Sequence, residues 1–222
     1  MKILTTILTC SSAQDMADAS SSTWVRDIQL PHEYYFYGDS LQSKTMENTW
    51  NCEPDDGESR FRLPEKTYKM LIKSLQYEWD FLFKCDDDTY VNFDKLIEFL
   101  KDYDANLDWY IGKEIVNSFP YAQGGAGYIL TRTAVKKCLE SLKHFYKIQF
   151  KNKSAEDYSI GLALRNQKIN LTPTKLLSTQ TPKFARLNQR ICINAIINNG
   201  KITTHYVNSN TMHKIHEIRS KR

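Results

Sequence analysis

The 222-residue chain has no uninterrupted stretch of about 20 apolar residues, so it holds no membrane-spanning helix. It has no block of Lys and Arg, and its net charge is only +4. That excludes the usual basic surface for nucleic acid, while a mild positive balance suits a small anionic ligand. No two of the five cysteines (Cys10, Cys52, Cys85, Cys138, Cys192) stand at C-x-x-C spacing, which argues against a structural zinc site. Their odd number argues against a complete disulfide framework. The two N-glycosylation triplets, at Asn152 and Asn170, are too common by chance to establish secretion. The chain has the length of one domain with a sizeable core, and its composition is ordinarily globular.

Against that background one segment stands out: Phe81-Leu82-Phe83-Lys84-Cys85-Asp86-Asp87-Asp88-Thr89-Tyr90-Val91. A short apolar run reads as a buried strand and delivers three consecutive carboxylates to its end. Adjacent Asp residues repel one another, and a core does not need them. Such a strand tip suits a divalent cation with oxygen ligands, Mn or Mg. In an open α/β sheet, ligands lie beyond the carboxyl ends of the strands. The bland alternative is a solvated acidic turn. Two sharper alternatives fail on spacing. Counted from Asp86, an EF-hand loop would need Gly where Val91 stands and Glu where Ile97 stands. An Asp-nucleophile phosphatase would want Thr or Val where Tyr90 stands.

The rest of the chain alternates strands and helices. Ile3 to Cys10 reads as a first buried strand rather than a signal peptide, because three Thr interrupt it. Ala13 to Trp24 reads as helical, Glu33 to Tyr37 as a second strand, and Ser40 to Arg62 as a long polar loop. That loop is expected to close over a bound ligand. Pro64 suits the first turn of a helix carrying Tyr68, Leu71, Ile72 and Leu75. Asn92 can cap a helix whose apolar stripe is Phe93, Leu96, Ile97, Leu100 and Tyr103. Trp109 to Gly112 is another strand. Gly124-Gly125-Ala126-Gly127 leads into an apolar run, as a tight bend or as a close approach of backbone to ligand. It is no dinucleotide fingerprint, since the spacing differs and a strand follows. Ser154-Ala155-Glu156-Asp157 opens a later helix with something close to a capping box. Glu156 and Asp157 there either complement the helix dipole or include a general base. His213 and His216 stand three apart on a last helix, a weak pair by itself.

Cys85-Asp86-Asp87-Asp88-Thr89-Tyr90-Val91, Gly124-Gly125-Ala126-Gly127-Tyr128, Glu156-Asp157 and His205-Tyr206-Val207, in this order, resemble the fringe-like β1,3-glycosyltransferases, most closely the core 1 β1,3-galactosyltransferase branch. Thr23-Trp24, Lys66-Thr67 and Asp94 to Leu96 fit the same branch, so the likeness runs from Ile3 to about Ile215. The resemblance implies an α/β GT-A fold, a Rossmann-like α/β/α sandwich with a mostly parallel sheet. It implies one catalytic domain over residues 1–222, with a donor-binding half to about 112 and an acceptor-binding half over about 113–215. It implies a UDP-sugar donor, Mn2+ or Mg2+, a glycan or glycosylated acceptor, and inverting transfer. By the family pattern Asp88 and His205 are metal ligands, and Asp86 and Asp87 lie near the metal and the ribose. Asp157 is the base. Arg60, Lys66, Gly124, Gly125, Ala126 and Glu156 complete the donor site.

The family's eukaryotic members carry an N-terminal anchor, a stem and disulfides, whereas Met1 here abuts the first strand. The expectation is a compact cytoplasmic enzyme of a bacterium or virus; the alternative is a trimmed chain of the Golgi lumen. The rival in another class is a degenerate domain that binds nucleotide-sugar or glycan without turnover. A metal-dependent phosphatase or nuclease is a third reading, which would hydrolyse without a sugar acceptor.

Overall fold

The computed structural model describes residues 1–38, 48–52, 62–151, 155–179 and 189–221. These described residues build a seven-stranded sheet between two layers of helices. The strands are β1 (Ile3–Leu8), β2 (Glu33–Gly38), β3 (Thr49–Asn51), β4 (Phe81–Asp86), β6 (Tyr110–Gly112), β9 (Tyr128–Thr131) and β10 (Thr172–Pro173), in the order β10-β6-β9-β4-β1-β2-β3. All pairings are parallel except those of β9, which runs against both β4 and β6. Two short ladders lie outside the main sheet. One joins β5 (Tyr90–Val91) to β11 (Thr203–Thr204); the other is the hairpin of β7 (Glu114–Val116) and β8 (Pro120–Ala122).

Alternation along the strands feeds two cores. Ile3, Ile7, Phe81, Phe83, Cys85, Ile111 and Ile129 face one side. There they meet α1 (Gln14–Ser22), α3 (Phe93–Leu100), α6 (Gln189–Asn198) and α7 (Ser209–Ser220). Leu4, Leu82, Tyr110, Tyr128 and Leu130 face the other side, against α2 (Leu63–Ser74), α4 (Arg132–Lys151) and α5 (Glu156–Asn166). The expected punctuation holds at two helices. Pro64 lies in the first turn of α2, and the Asn92 side chain accepts the Lys95 N–H at 3.2 Å to cap α3, a bond worth about 1 kcal/mol.

Two expectations need correction. The Ser40–Arg62 stretch is not all loop. Thr49–Asn51 forms the edge strand β3, paired in parallel with β2, because Trp50 is buried and stacks on Tyr35 at 4.3 Å. Three residues among polar neighbours are too few to show a period. Apart from residues 48–52 and Arg62, that stretch, Arg60 included, lies outside the described residues. The N-cap position of α5 is Ala155, which has no capping side chain, and Ser154 lies outside the described residues. Among the described residues no helix is long and apolar enough to cross a membrane.

Candidate functional site

The parallel pairing sets the ends of β1 and β4 level, with Leu8 opposite Asp86. Beyond those ends lies a cavity of about 560 Å3. The loop Thr9 to Ala13 forms one wall, Leu63 and Lys66 at the start of α2 another, and Asp86, Asp87, Asp88, His205 and Tyr206 the floor. The turn that carries the three carboxylates is fixed from several sides. The Asp87 N–H donates to the Leu8 carbonyl at 3.1 Å, the Ser20 hydroxyl to the Asp87 carbonyl at 2.6 Å, and the Val207 N–H to the Asp88 carbonyl at 2.9 Å. The last bond, with the β5–β11 ladder, carries His205 to the strand tip from 117 residues away in sequence (205 − 88).

Asp86, Asp88 and His205 each place a ligand atom within 4.8 Å of the others. His205 Nε2 lies 3.0 Å from Asp88 Oδ1 and 3.9 Å from Asp86 Oδ2. Asp88 Oδ1 and His205 Nδ1 are nonetheless buried without a hydrogen-bond partner among the described residues. Buried polar atoms are normally satisfied. The Nδ1 atom points away from the carboxylates, but the unsatisfied Asp88 Oδ1, converging with Asp86 and His205 Nε2, fits a divalent cation of the Mn type.

Asp87 plays a different part. It is nearly buried, and its Oδ2 accepts the Thr9 hydroxyl at 2.6 Å. Burial pushes its carboxyl from 3.8 up to about 7. The folded protein therefore holds this proton more tightly than the unfolded chain. The stabilisation is present below about pH 4 and is lost as pH rises through about 7. Asp87→Asn keeps an acceptor for Thr9 and removes the ionisation. In EDTA the melting temperature of the variant should exceed that of the wild type at pH 8 by several degrees, on the order of 1–3 kcal/mol, with the gap narrowing as the pH falls to 5 and closing only below about pH 4. A gap that stays constant from pH 5 to 8 would remove Asp87 as its source.

The glycine-rich turn gives this floor its room. A Cβ on Gly125 would lie 2.0 Å from the His205 ring, and one on Gly124 would lie 2.6 Å from Glu156 Oε2. Gly127 adopts φ +93, where Phe83 and the Lys84 carbonyl leave no space for a side chain. Thr89 donates to the Gly125 carbonyl at 2.7 Å. Ala126 is fully buried and its carbonyl accepts the Thr203 hydroxyl at 2.6 Å, so its side chain is packed in the core. Gly125→Ala should expel the imidazole, lower stability by about 1–3 kcal/mol and weaken Mn2+ binding in parallel. Thermal unfolding with and without Mn2+ checks this; a variant that Mn2+ stabilises as it does the wild type would contradict the geometry.

Asp157 stands on α5 behind the turn and is not on the cavity wall. Its Oδ2 accepts the Gly124 N–H at 3.0 Å and its Oδ1 the Tyr158 N–H at 2.8 Å. Glu156 is buried, accepts the Tyr128 hydroxyl at 2.7 Å and the Lys84 ammonium at 3.3 Å, and burial lifts its carboxyl to about 7 against the pull of Lys84. Among the described residues the structure thus gathers Asp86, Asp87, Asp88, Lys66 and His205 at one cavity, and links Gly124, Glu156 and Asp157 into a second cluster beside it.

Two residues of this region, Tyr206 and Lys84, sit inside motifs quoted above, but their roles appear only in the structure. Tyr206 is half exposed, lies flat on the His205 ring at 3.9 Å, and holds φ +65, a backbone state that non-glycine residues adopt at a cost of about 1–3 kcal/mol. No pattern in the sequence shows a strained dihedral. Lys84 had a signal: a charged residue in an otherwise apolar strand run.

The Fringe-like family model matches residues 3–220. A Xenopus laevis glycoprotein-N-acetylgalactosamine 3-beta-galactosyltransferase 1 is 36% identical over 110 residues, covering 47% of this chain and 30% of the relative. The Drosophila melanogaster Fringe glycosyltransferase is 28% identical over 175 residues, covering 69% of this chain and 41% of the relative. The chain thus spans less than half the length of either curated relative. Among solved structures, the galactosyltransferase LgtC in complex with donor and acceptor sugar analogs superposes with a TM-score of 0.56 at 11% identity, covering 98% of this chain and 96% of that one. The apo-form glycosyltransferase GlyE of Streptococcus pneumoniae gives 0.57 at 11% identity, covering 94% and 55%. These likenesses, with the mostly parallel sheet between helices, make the fold GT-A.

Proposed function

The chain belongs to the Fringe-like family, and on that premise we propose that it is an inverting, metal-dependent glycosyltransferase. It moves a hexose or N-acetylhexosamine, galactose first, from a UDP-sugar to an acceptor sugar hydroxyl in β1,3 linkage. Galactose is the sugar in the name of the frog relative, which also gives glycoprotein-linked N-acetylgalactosamine as the acceptor to try. The observation that carries the reading is the convergence of Asp86, Asp88 and His205 on the floor of a cavity at the carboxyl ends of β1 and β4.

Asp86, Asp88 and His205 would hold a divalent ion, Mn2+ before Mg2+, which would supply positive charge for the departing diphosphate. Lys66, buried in the cavity wall, adds a second cation on the same side. Asp87 lies where a ribose would pass. Asp157 takes the proton of the acceptor hydroxyl while the new bond to the anomeric carbon forms and the bond to the diphosphate oxygen breaks. Residues to about 112 then form the donor half and residues 113–215 the acceptor half, with His205 reaching back across.

One feature favours a second reading, a domain that binds nucleotide-sugar without turnover: both Asp157 oxygens are already engaged by backbone N–H groups. Incubation with UDP-galactose, Mn2+ and an N-acetylgalactosamine glycoside separates the two. UDP release that requires both acceptor and metal supports transfer. Tight Mn2+-dependent UDP binding with no release would make it a binding domain, and metal-dependent release without acceptor would make it a hydrolase. The animal relatives lend no support to a bacterial or viral cytoplasmic origin.

A further inference from the structure

Lys84 is fully buried in β4, on the face it shares with Leu82, opposite Thr6 of β1 and Tyr128 of β9. An apolar side chain would fill this position without the desolvation penalty of several kcal/mol that an enclosed ion carries. Burial alone would lower its pKa, but Asp86 and Glu156 outweigh that and hold it well above the ordinary lysine value. The ammonium has three protons and meets three acceptors: Asp86 Oδ1 at 2.8 Å, Gly124 O at 3.3 Å and Glu156 Oε2 at 3.3 Å. These come from three segments, two, 40 and 72 residues away in sequence.

What each partner does with its remaining polar atom is the informative part. Asp86 gives Oδ1 to Lys84 and turns Oδ2 toward His205, 3.9 Å from its Nε2. Gly124 gives its carbonyl to Lys84 and its N–H to Asp157 Oδ2. Glu156 gives Oε2 to Lys84 and Oε1 to the Tyr128 hydroxyl, and it is the residue before Asp157. One buried cation therefore touches the floor of the cavity, the turn that makes room for His205, and the helix start that carries Asp157.

We infer that Lys84 is a positioning residue that fixes the metal-facing oxygen of Asp86 and the Gly124–Asp157 hydrogen bond as a single unit. The inference rests on the metal site and transfer reading proposed above. A lysine retained only for packing would have no reason to take one oxygen of a cavity carboxylate and leave the other free for an ion. Partners of metal ligands in this position typically alter affinity or activity by about 10–100-fold when removed.

The test uses Lys84→Met and the double variant Lys84→Met/Glu156→Gln. The double variant removes both enclosed charges; Asp86, 28% exposed toward the cavity, can be solvated instead. If Lys84→Met alone does not fold, the double variant carries the test. Three quantities are read on Lys84→Met. They are UDP affinity in EDTA, Mn2+ affinity with UDP present together with the electron paramagnetic resonance line of the bound Mn2+, and kcat against KM for transfer. The expected result for Lys84→Met is unchanged metal-free UDP affinity, Mn2+ affinity reduced about tenfold or more with an altered line shape, and kcat reduced about tenfold or more at little changed acceptor KM; the double variant is read on Mn2+ affinity and line shape alone, because Glu156 is itself a candidate donor contact and base. Unchanged Mn2+ affinity and line shape in the variants, with kcat unchanged in Lys84→Met, would overturn the inference and leave Lys84 as core filling. A wild type that shows no Mn2+-dependent UDP binding would instead sink the metal reading itself, before any Lys84 variant is compared.

Discussion

Asp88→Ala and His205→Ala should each lower Mn2+-dependent UDP binding by at least about a hundredfold, the upper end of what a lost partner of a metal ligand removes. The fold should survive in both. The Asp88 side chain is 30% exposed at the cavity, so its removal leaves no enclosed void. His205 is nearly buried and supports the Tyr206 ring, so its removal should lower the melting temperature by a few degrees, about 1–2 kcal/mol. Its backbone stays in place, because the His205 N–H bonds the Ser178 carbonyl and Thr203 and Thr204 remain in the β5–β11 ladder. Isothermal titration of UDP with and without Mn2+ gives both numbers. The metal contribution, taken as the difference between the two titrations, should vanish in both variants while the metal-free affinity stays. Two variants that keep the wild-type difference would show that the three side chains hold no ion. A loss in Asp88→Ala alone would make His205 a wall of the cavity, not a ligand.

The parts of this site that were legible in the sequence are those whose signal is local. Three carboxylates after an apolar run mark a strand end, and the parallel pairing of β1 with β4 puts that end at the cavity. His205 carries no local signal; only the family pattern joined it to residues 117 positions earlier, and the ladder that does so physically is two residues per strand. The glycines were legible as a bend or a close approach, but their neighbour was not: Gly125 yields space to an imidazole. Lys84 was missed because its meaning lies in the alternation of a strand buried on both faces. Phe81, Phe83 and Cys85 fill one core, so Leu82, Lys84 and Asp86 point to the other. Once a lysine is known to face a core, its partners must be sought across the fold, and Glu156 and Gly124 are 72 and 40 residues away. The edge strand β3 escaped notice for a related reason. Its buried side chain, Trp50, is held by Tyr35 and Tyr77 from other segments and not by any period of its own.

Asp157→Asn should reduce transfer by about a hundredfold or more, the usual contribution of a general base, while UDP affinity with Mn2+ changes little. Two roles compete for this residue. As part of the helix start it accepts the Tyr158 N–H, one of the donors that the first turn of α5 leaves without an internal partner, and Ala155 at the N-cap offers no side chain for that purpose. As a base it must reach an acceptor hydroxyl, and its other oxygen is held toward the glycine turn by the Gly124 N–H at 3.0 Å. Asn keeps one acceptor oxygen and places an amide where the second oxygen stood. It can satisfy Tyr158 or Gly124 but not both, so stability should fall by about 1 kcal/mol or less. It cannot take a proton in either case. The measurements are kcat with saturating UDP-sugar and acceptor, the affinity for UDP with Mn2+, and the melting temperature. A large fall in kcat with the other two nearly constant assigns Asp157 to proton transfer. If kcat survives and only the melting temperature moves, Asp157 belongs to the helix start. The base would then be sought at Glu156, whose carboxyl sits near 7 and is enclosed by Lys84 and Tyr128.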